Sequence, residues 1–313
     1  MSPQQSPAAR PGRLGIGVIG AGRVGAVLGA ALRAAGHAIT GVHAVSEASR
    51  TRAESLLPGA PRWEIPEIME RSELVLFAVP DDALAPLVRG LVDGGHVSSG
   101  QLLVHTSGRS GTEVFDTARA RGAVGLAIHP AMTFTGLSLD LDRLRSCPFG
   151  VTAPAAFLPV AQALVVEMGG EPVVVQEGDR PLYHAALSHG SNHLVTLVGQ
   201  SRQILESIGV PEPGRMLAPL LRASLDNALA SGDAALTGPV ARGDVGTLAA
   251  HREILEGFAR EEDAADIGRA YLAMARASAE RAHRRGALSA AALKQVLGAL
   301  EEDRQPPHGA EYR

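Results

Sequence analysis

Leu14-Gly15-Ile16-Gly17-Val18-Ile19-Gly20-Ala21-Gly22-Arg23-Val24-Gly25 decides the fold. The stretch reads as an apolar strand that runs into a glycine turn and then into a helix. Gly20, Gly22 and Gly25 complete G-x-G-x-x-G. In that pattern the glycines serve, in turn, a tight bend, the close approach of a pyrophosphate to bare backbone, and helix–strand contact. Val24, Val27, Leu28, Ala31 and Leu32 follow at the spacing of one apolar helix face. The first N–H groups and the positive dipole end of such a helix suit a phosphate. Dinucleotide binding is the expected use of this stretch; a glycine turn in another α/β fold is the plainer alternative.

Around it, 313 residues suffice for one large or two ordinary domains. A formal net charge of −4 offers no bulk attraction to nucleic acid or to an anionic membrane. No apolar run approaches the ~20 residues that a membrane-spanning helix needs. Residues 1–12 are rich in Ser, Pro, Gln and Ala without an apolar core. They read as a disordered lead-in, not a signal peptide. Cys147 stands alone, so no internal disulfide or cysteine metal cluster is available. A soluble, cytoplasmic protein is the expectation. Lys294 is the only lysine in the chain, which excludes any mechanism that needs a lysine mid-chain.

Past the first helix, which Gly36 suits as a C-terminal cap, 37–45 reads as a second strand. An acidic residue ~20 positions after the glycines usually holds the ribose 2′-hydroxyl. Here Ala44 and Val45 fill that neighbourhood, followed by Ser46, Glu47, Ser49, Arg50 and Arg52. Hydroxyl and guanidinium groups in place of the acid favour NADP(H). Glu47 keeps NAD(H) open, and a solvated helix face is the ordinary use of the arginines. Residues 73–80 form an apolar strand closing on Val79-Pro80-Asp81, whose backbone is expected across the cofactor from the glycines. Asp81 or Asp82 can cap the next helix. The candidate cofactor residues are therefore Gly20, Gly22, Arg23, Val24, Gly25, Ser46, Arg50, Val79, Pro80 and Asp81.

Further strands are expected at 101–106, 123–129, 148–152 and 171–176, with a helix at 154–168. This alternation predicts a doubly wound, mostly parallel α/β sheet over 13–177. Long Ala- and Leu-rich stretches then predict an all-α second domain over 178–304, with helices at 182–208, 216–230, 246–260, 263–284 and 289–303. A polar tail at 305–313 reads as disordered.

Three places can carry chemistry. Ser107 and His129-Pro130 follow two consecutive strands, at the edge where parallel sheets bind ligands. A serine hydroxyl can orient a substrate oxygen and a histidine can move a proton near neutral pH; helix capping and a buried imidazole are the plainer uses. His184, Ser188 and Asn192 recur at i, i+4 and i+8, a polar stripe suited to a cavity wall. His189 and His193 also repeat at i, i+4, but Gly190 stands where H-E-x-x-H has its glutamate and no third ligand is evident. No metal is expected there. Finally, Leu236-Thr237-Gly238-Pro239-Val240-Ala241-Arg242-Gly243-Asp244 joins two helices. Arg242 offers a fork for a carboxylate, which Thr237 and Asp244 can assist, although Asp244 can equally cap the next helix.

Taken together, these stretches resemble a bacterial family of oxidoreductases in the 6-phosphogluconate-dehydrogenase-like superfamily, in which a Rossmann-like NADP-binding domain precedes a helical domain of unknown function. In 6-phosphogluconate dehydrogenase and ketopantoate reductase the matching helix carries a lysine four residues before an asparagine. Asn192 matches the asparagine, but Ser188 stands at the lysine position. The resemblance thus implies a different proton donor, or a different reaction. Prephenate dehydrogenase has a similar strand-end serine and a His-Pro, which implies catalytic use of Ser107 and His129. Pyrroline-5-carboxylate reductase has a similar Thr-rich loop before His-x-x-Leu, matched by Thr237 to Asp244 and His251.

The implied activity is NADP(H)-dependent reduction of a small 2-oxo acid, 2-dehydropantoate to pantoate first, or of a cyclic imino acid. Nicotinamide is expected over the strand ends. Arg242 and Thr237 would hold the substrate carboxylate, Asn192 and Ser107 would orient the reacting group, and His129 or His184 would give the proton. A homodimer is implied by the resemblance alone. The competing reading is a non-catalytic NADP(H)-binding sensor or scaffold, which would need neither the polar stripe nor the Thr/Arg/Asp loop.

Overall fold

The computed structural model describes residues 13–262 and 264–301. The expected disordered lead-in and tail lie outside those residues. The chain divides into two compact units after His193.

In the first unit, β1 (Gly15–Ile19) leads through the glycine turn into α1 (Arg23–Ala34), then β2 (Ala38–His43), α2 (Glu47–Leu56) and α3 (Ile65–Arg71). β3 (Leu74–Phe77), α4 (Asp81–Asp93), β4 (Leu102–His105) and the short α5 (Asp116–Arg119) follow. After β5 (Val124–Pro130) come α6 (Leu139–Arg143), β6 (Pro148–Thr152), α7 (Leu158–Glu167) and β7 (Glu171–Val174). The seven strands form one sheet in the order β2-β1-β3-β4-β5-β6-β7. All neighbouring pairs are parallel except β5 with β6.

The chain therefore reverses direction across the sheet at β1, between β2 and β3. Doubly wound sheets bind ligands outside the strand ends at such a switch. Both faces are covered, as a largely parallel sheet requires. On one face Val27, Leu28, Leu32, Leu164 and Val165 pack on the strands. On the other, Ile68, Leu84, Val88 and Leu91 do so.

One local expectation is corrected. Neither Asp81 nor Asp82 caps α4: Pro80 occupies the N-cap position and no side chain makes the capping bond. Both aspartates fall in the first turn, where they instead favour the helix dipole.

The division between units falls within α8 (Arg180–Ser207). The second unit continues with α9 (Pro213–Ser231), the short α10 (Gly238–Arg242), α11 (Val245–Glu261), α12 (Ala265–Arg284) and α13 (Ala290–Ala299). Its core is Leu248, Leu272, Ala275, Ala279, Ala282, Leu288, Val296 and Leu300, shared by α11, α12 and α13.

Candidate active site

The glycine turn has the shape of a phosphate cradle. Gly20 adopts φ +94°, and a Cβ there would lie 2.5 Å from the Ala78 carbonyl oxygen at the end of β3. A Cβ at Gly25 would lie 2.1 Å from the Gly20 carbonyl oxygen, so α1 closes directly on the turn. Gly22 meets nothing within 4 Å. Two glycines are thus required by the protein's own packing, while the middle one faces open space at the start of α1. Room for a pyrophosphate at a helix N-terminus is what such a motif needs.

At the end of β2, Val42, His43, Ala44, Val45, Arg50, Arg62, Trp63 and Glu64 line a cavity of about 430 Å³. Trp63 packs on Gly41, donates its indole N–H to the Thr40 carbonyl (3.2 Å) and so fixes the wall. Ser46 caps α2 by accepting from the Ser49 N–H. Arg50 donates to the Ala44 carbonyl at 3.4 Å. Arg62 and Trp63 had no signal in the sequence, because they come from the loop after α2 and reach β2 only through the fold.

A third wall comes from the loop after β5. Asp140, fully buried, accepts from the backbone N–H groups of Thr135 and Gly136, each at 2.7 Å, and from the Thr135 hydroxyl at 3.0 Å. The turn so held rests on the candidate cofactor residue Arg23 and on Arg52: a Cβ at Gly136 would lie 2.8 Å from Arg52 Nε and 3.1 Å from Arg23 Cγ.

The polar residues lie beyond the C-terminal ends of β4 and β5. Since β1, β3, β4 and β5 are parallel, this is the same sheet edge as the glycine turn. His129, Ala131, Met132, Thr133, His184, Leu187, Ser188, Ser191 and Asn192 line a cavity of about 300 Å³. The expected α8 stripe thus meets His129. Among the described residues no aspartate, glutamate, lysine or arginine lines this cavity. His129 and His184 stand edge to face with ring centroids 6.3 Å apart, and both crowd Gly108, where a Cβ would lie 3.0 Å from His129 Nε2.

Ser107 is buried beneath them. Its hydroxyl accepts from the Ser110 N–H, its carbonyl accepts from Arg180, and its own N–H donates to His105 Nδ1. His105 in turn bonds the Gly111 carbonyl through Nε2 at 2.8 Å. With Nδ1 accepting from a backbone donor, the proton must sit on Nε2. Burial, with the Arg180 charge adding to it, lowers His105 to a pKa of about 4. Burial first, and then Arg180, lower His129 to about 4 as well. Both imidazoles are neutral at neutral pH.

Two residues of this site were given no role by sequence reading. Arg180 is fully buried; among the described residues no carboxylate forms an ion pair with it, and Glu177 acts on it from further away. Its guanidinium donates to the Thr152 hydroxyl (2.8 Å) and to the carbonyls of Ser107 (3.3 Å), Ala127 (2.8 Å) and Gly150 (3.0 Å). Tyr183, one turn later, places its hydroxyl 2.9 Å from His129 Nδ1. Only the sheet brings those carbonyls together, so nothing adjacent in sequence signals either role.

Asp81 faces Arg109 at 3.8 Å. His193 Nδ1 lies 2.9 Å from His189 Nδ1 on an exposed part of α8. Thr237, Arg242 and Asp244 fall in the second unit, at the start of α10, at its end and just beyond it. Asp244 caps α11, accepting from the Thr247 N–H (3.1 Å) and hydroxyl (2.8 Å). The second unit also has a cavity of about 560 Å³ lined by Arg252, Glu256, Arg260, Arg269 and Tyr271 among others. None of the sequence's candidate residues lines it.

Two family models match consecutive parts of the chain, with a boundary that falls before the division between the compact units. Residues 1–130 match the Rossmann-like domain family, and residues 147–278 match the family described as Domain of unknown function (DUF2520). The chain joins a Rossmann-like domain to a DUF2520 domain. Tyr183, His184, Asn192 and Arg242 all fall in the DUF2520 part, and His129 closes the Rossmann-like part.

Among solved structures, a Bacteroides fragilis protein assigned as an NADP oxidoreductase is similar at 21% identity and TM-score 0.70, over 86% of this chain and 98% of that one. An imine reductase from Pseudomonas sp. is similar at 19% identity and TM-score 0.62, over 93% and 100%. A reductive aminase from Aspergillus terreus, in complex with NADPH and ethyl-5-oxohexanoate, is similar at 19% identity and TM-score 0.57, over 92% and 93%. At such identities the likeness establishes the fold. No curated protein matches the sequence.

Proposed function

We propose that this protein is an NADP(H)-dependent oxidoreductase that reduces the C=O of a small 2-oxo acid or the C=N of a cyclic imino acid. The first substrate to try is 2-dehydropantoate, giving pantoate. The observation that carries the reading is the polar cavity of His129, His184, Ser188 and Asn192, at the sheet edge that also bears the glycine cradle. A sensor or scaffold needs no such cavity. The imine reductase and the reductive aminase of similar fold support keeping a C=N acceptor beside the 2-oxo acid.

The cradle at Gly20, Gly22 and Gly25 fits a pyrophosphate, held by backbone N–H groups at the start of α1 with Arg23 and Val24. Ser46, Arg50 and Arg52 suit a ribose 2′-phosphate, and Glu47 would favour NAD(H) instead. The backbone of Val79-Pro80-Asp81 borders the other side. Bound NADPH supplies the hydride. Ser188 and Asn192 orient the reacting oxygen or nitrogen by hydrogen bonds, and His129 delivers the proton, with His184 packed against it. Ser107 fixes the floor under the imidazoles. Arg242 and Thr237 bind the substrate carboxylate, and Asp244 fixes the start of α11 behind them. Positioning supplies much of the acceleration in such a scheme.

The working form in this proposal is a homodimer. α9 exposes Met216 and Leu220 on one side and Leu225 and Leu229 on another. A helix apolar on several sides is one that an assembly encloses. Among the described residues no helix is long and apolar enough to cross a membrane. A free Cys147 suits a reducing compartment such as the cytoplasm.

The test is loss of NADPH absorbance with 2-dehydropantoate, pyrroline-5-carboxylate and a panel of other 2-oxo acids. Turnover is expected with at least one, falling about 100-fold or more in His129→Ala with NADPH binding kept. Arg242→Ala is expected to raise KM strongly. The same preparation should sediment at about twice the 32.4 kDa chain mass. Tight NADPH binding without turnover on any acceptor would turn the assignment to a sensor.

A further inference from the structure

His129 presents one ring nitrogen to the cavity and keeps the other for Tyr183. The two rings meet edge to face, centroids 5.6 Å apart, with the phenol hydroxyl 2.9 Å from Nδ1. The hydroxyl is held there from behind. A Cβ at Gly150 would lie 2.6 Å from it, so only glycine at that point of β6 lets the phenol approach. Beneath the phenol lies the buried guanidinium of Arg180, with its carbon 5.8 Å from the ring centre. That cation touches only neutral acceptors, namely three carbonyls and the Thr152 hydroxyl. A buried charge ordinarily demands a counter-ion. Among the described residues none forms an ion pair with it and Glu177 acts on it only from further off, so an anion formed on Tyr183 would supply a partner in contact.

We infer that Tyr183, His129 and Arg180 form a proton relay in which the tyrosine is the proton source, the histidine carries the proton to substrate, and the arginine balances the phenolate left behind. This rests on the reductase reading above. In the resting state the Tyr183 O–H donates to His129 Nδ1, so Nε2 bears the ring hydrogen and faces the cavity. As hydride reaches the substrate carbon, the Nε2–H bond breaks and an O–H or N–H bond forms on the substrate. In the same motion the Tyr183 O–H bond breaks and an Nδ1–H bond forms. The imidazole stays neutral throughout. The negative charge ends on the phenolate oxygen above Arg180. The resting state returns when Nε2 takes a proton from water, releasing hydroxide, and the Nδ1 proton passes back to the phenolate.

The charge logic agrees. Burial and Arg180 keep His129 neutral, so it is no store of acid protons at neutral pH. Burial raises the Tyr183 pKa and keeps its proton in place, while Arg180 and a backbone hydrogen bond from Gly150 pull the other way and support the anion once formed. Tyr183 acts through His129 and is a positioning residue in this scheme; His129 is the catalytic one.

Two measurements test the relay. In protein labelled with 15N-histidine, the long-range couplings of His129 at neutral pH are expected to report the Nε2–H tautomer. Tyr183→Phe is expected to shift it to a mixture with Nδ1–H. In turnover, Tyr183→Phe is expected to lower kcat about 100-fold while KM and the NADPH Kd stay within about twofold. Gly150→Ala, which displaces the hydroxyl and keeps the phenol, should reproduce both effects. An Nδ1–H tautomer in the wild type, or an unchanged kcat in Tyr183→Phe, overturns the relay and leaves the reductase standing. A wild-type protein inert toward every carbonyl and imine overturns both.

Discussion

Gly22 and Gly25 stand three residues apart and are needed for different reasons. At Gly25 a methyl would collide with the Gly20 carbonyl at 2.1 Å and with the Ala78 side chain at 2.7 Å. Gly25→Ala must therefore push α1 off the sheet, at a cost of order 1–3 kcal/mol or more. Gly22 has φ −69°, which any residue adopts, and its added methyl would meet nothing. Gly22→Ala is expected to leave Tm within about 2 °C of wild type but to weaken NADPH at least tenfold. Calorimetry and a fluorescence titration separate the two. A large Tm loss in Gly22→Ala would mean that the open space is not a phosphate seat. The glycine cradle was legible in the sequence because it is local: twelve consecutive residues carry strand, turn and helix. Arg180 and Tyr183 were not. A buried arginine with carbonyl partners from residues 107, 127 and 150 looks, in sequence, like any surface cation.

At the scale of elements, periodicity located the strands and long helices to within a few residues, while connections carried what it could not see. The loop after β5 shows this. In sequence, 131–138 is a turn-rich gap before an unremarkable Leu-Asp-Leu-Asp. In the fold Asp140 collects three hydrogen bonds from Thr135 and Gly136 and presses their turn onto Arg23 and Arg52. A carboxylate with such partners costs about 1–3 kcal/mol per polar group left unpaired when it is removed. Asp140→Ala is expected to lower Tm by several degrees and to weaken NADPH several-fold, although the residue lies outside the cradle. NADPH affinity unchanged in a folded Asp140→Ala would show that the turn has no part in holding the cofactor arginines. Glu177 works in the same way before α8, accepting from the Thr112 and Glu113 N–H groups. With Arg180 it ties the start of that helix to the loop after β4 that carries Ser107.

The whole molecule carries the cost of keeping two imidazoles neutral. His105 and His129 have folded pKa values of about 4, against 6.5 for an unperturbed histidine. Between those values the unfolded chain binds protons that the folded protein refuses. Stability therefore falls as pH drops through 6.5 and levels off near 4. Above 6.5 neither group makes stability depend on pH. A 2.5-unit shift amounts to about 3 kcal/mol for His105, and somewhat less for the partly exposed His129. For a unit of this size each kcal/mol moves Tm by roughly 2–4 °C. Tm is thus expected to drop by at least about 6 °C between pH 6.5 and pH 4 from these two groups. His129→Gln removes one of the two groups and should flatten part of the slope while leaving the share of His105. A Tm independent of pH over that range would mean that the imidazoles accept protons in the folded state. The cavity would then hold a cation where this geometry has a neutral imidazole, and a proton stored on His129 would make Tyr183 unnecessary as the source.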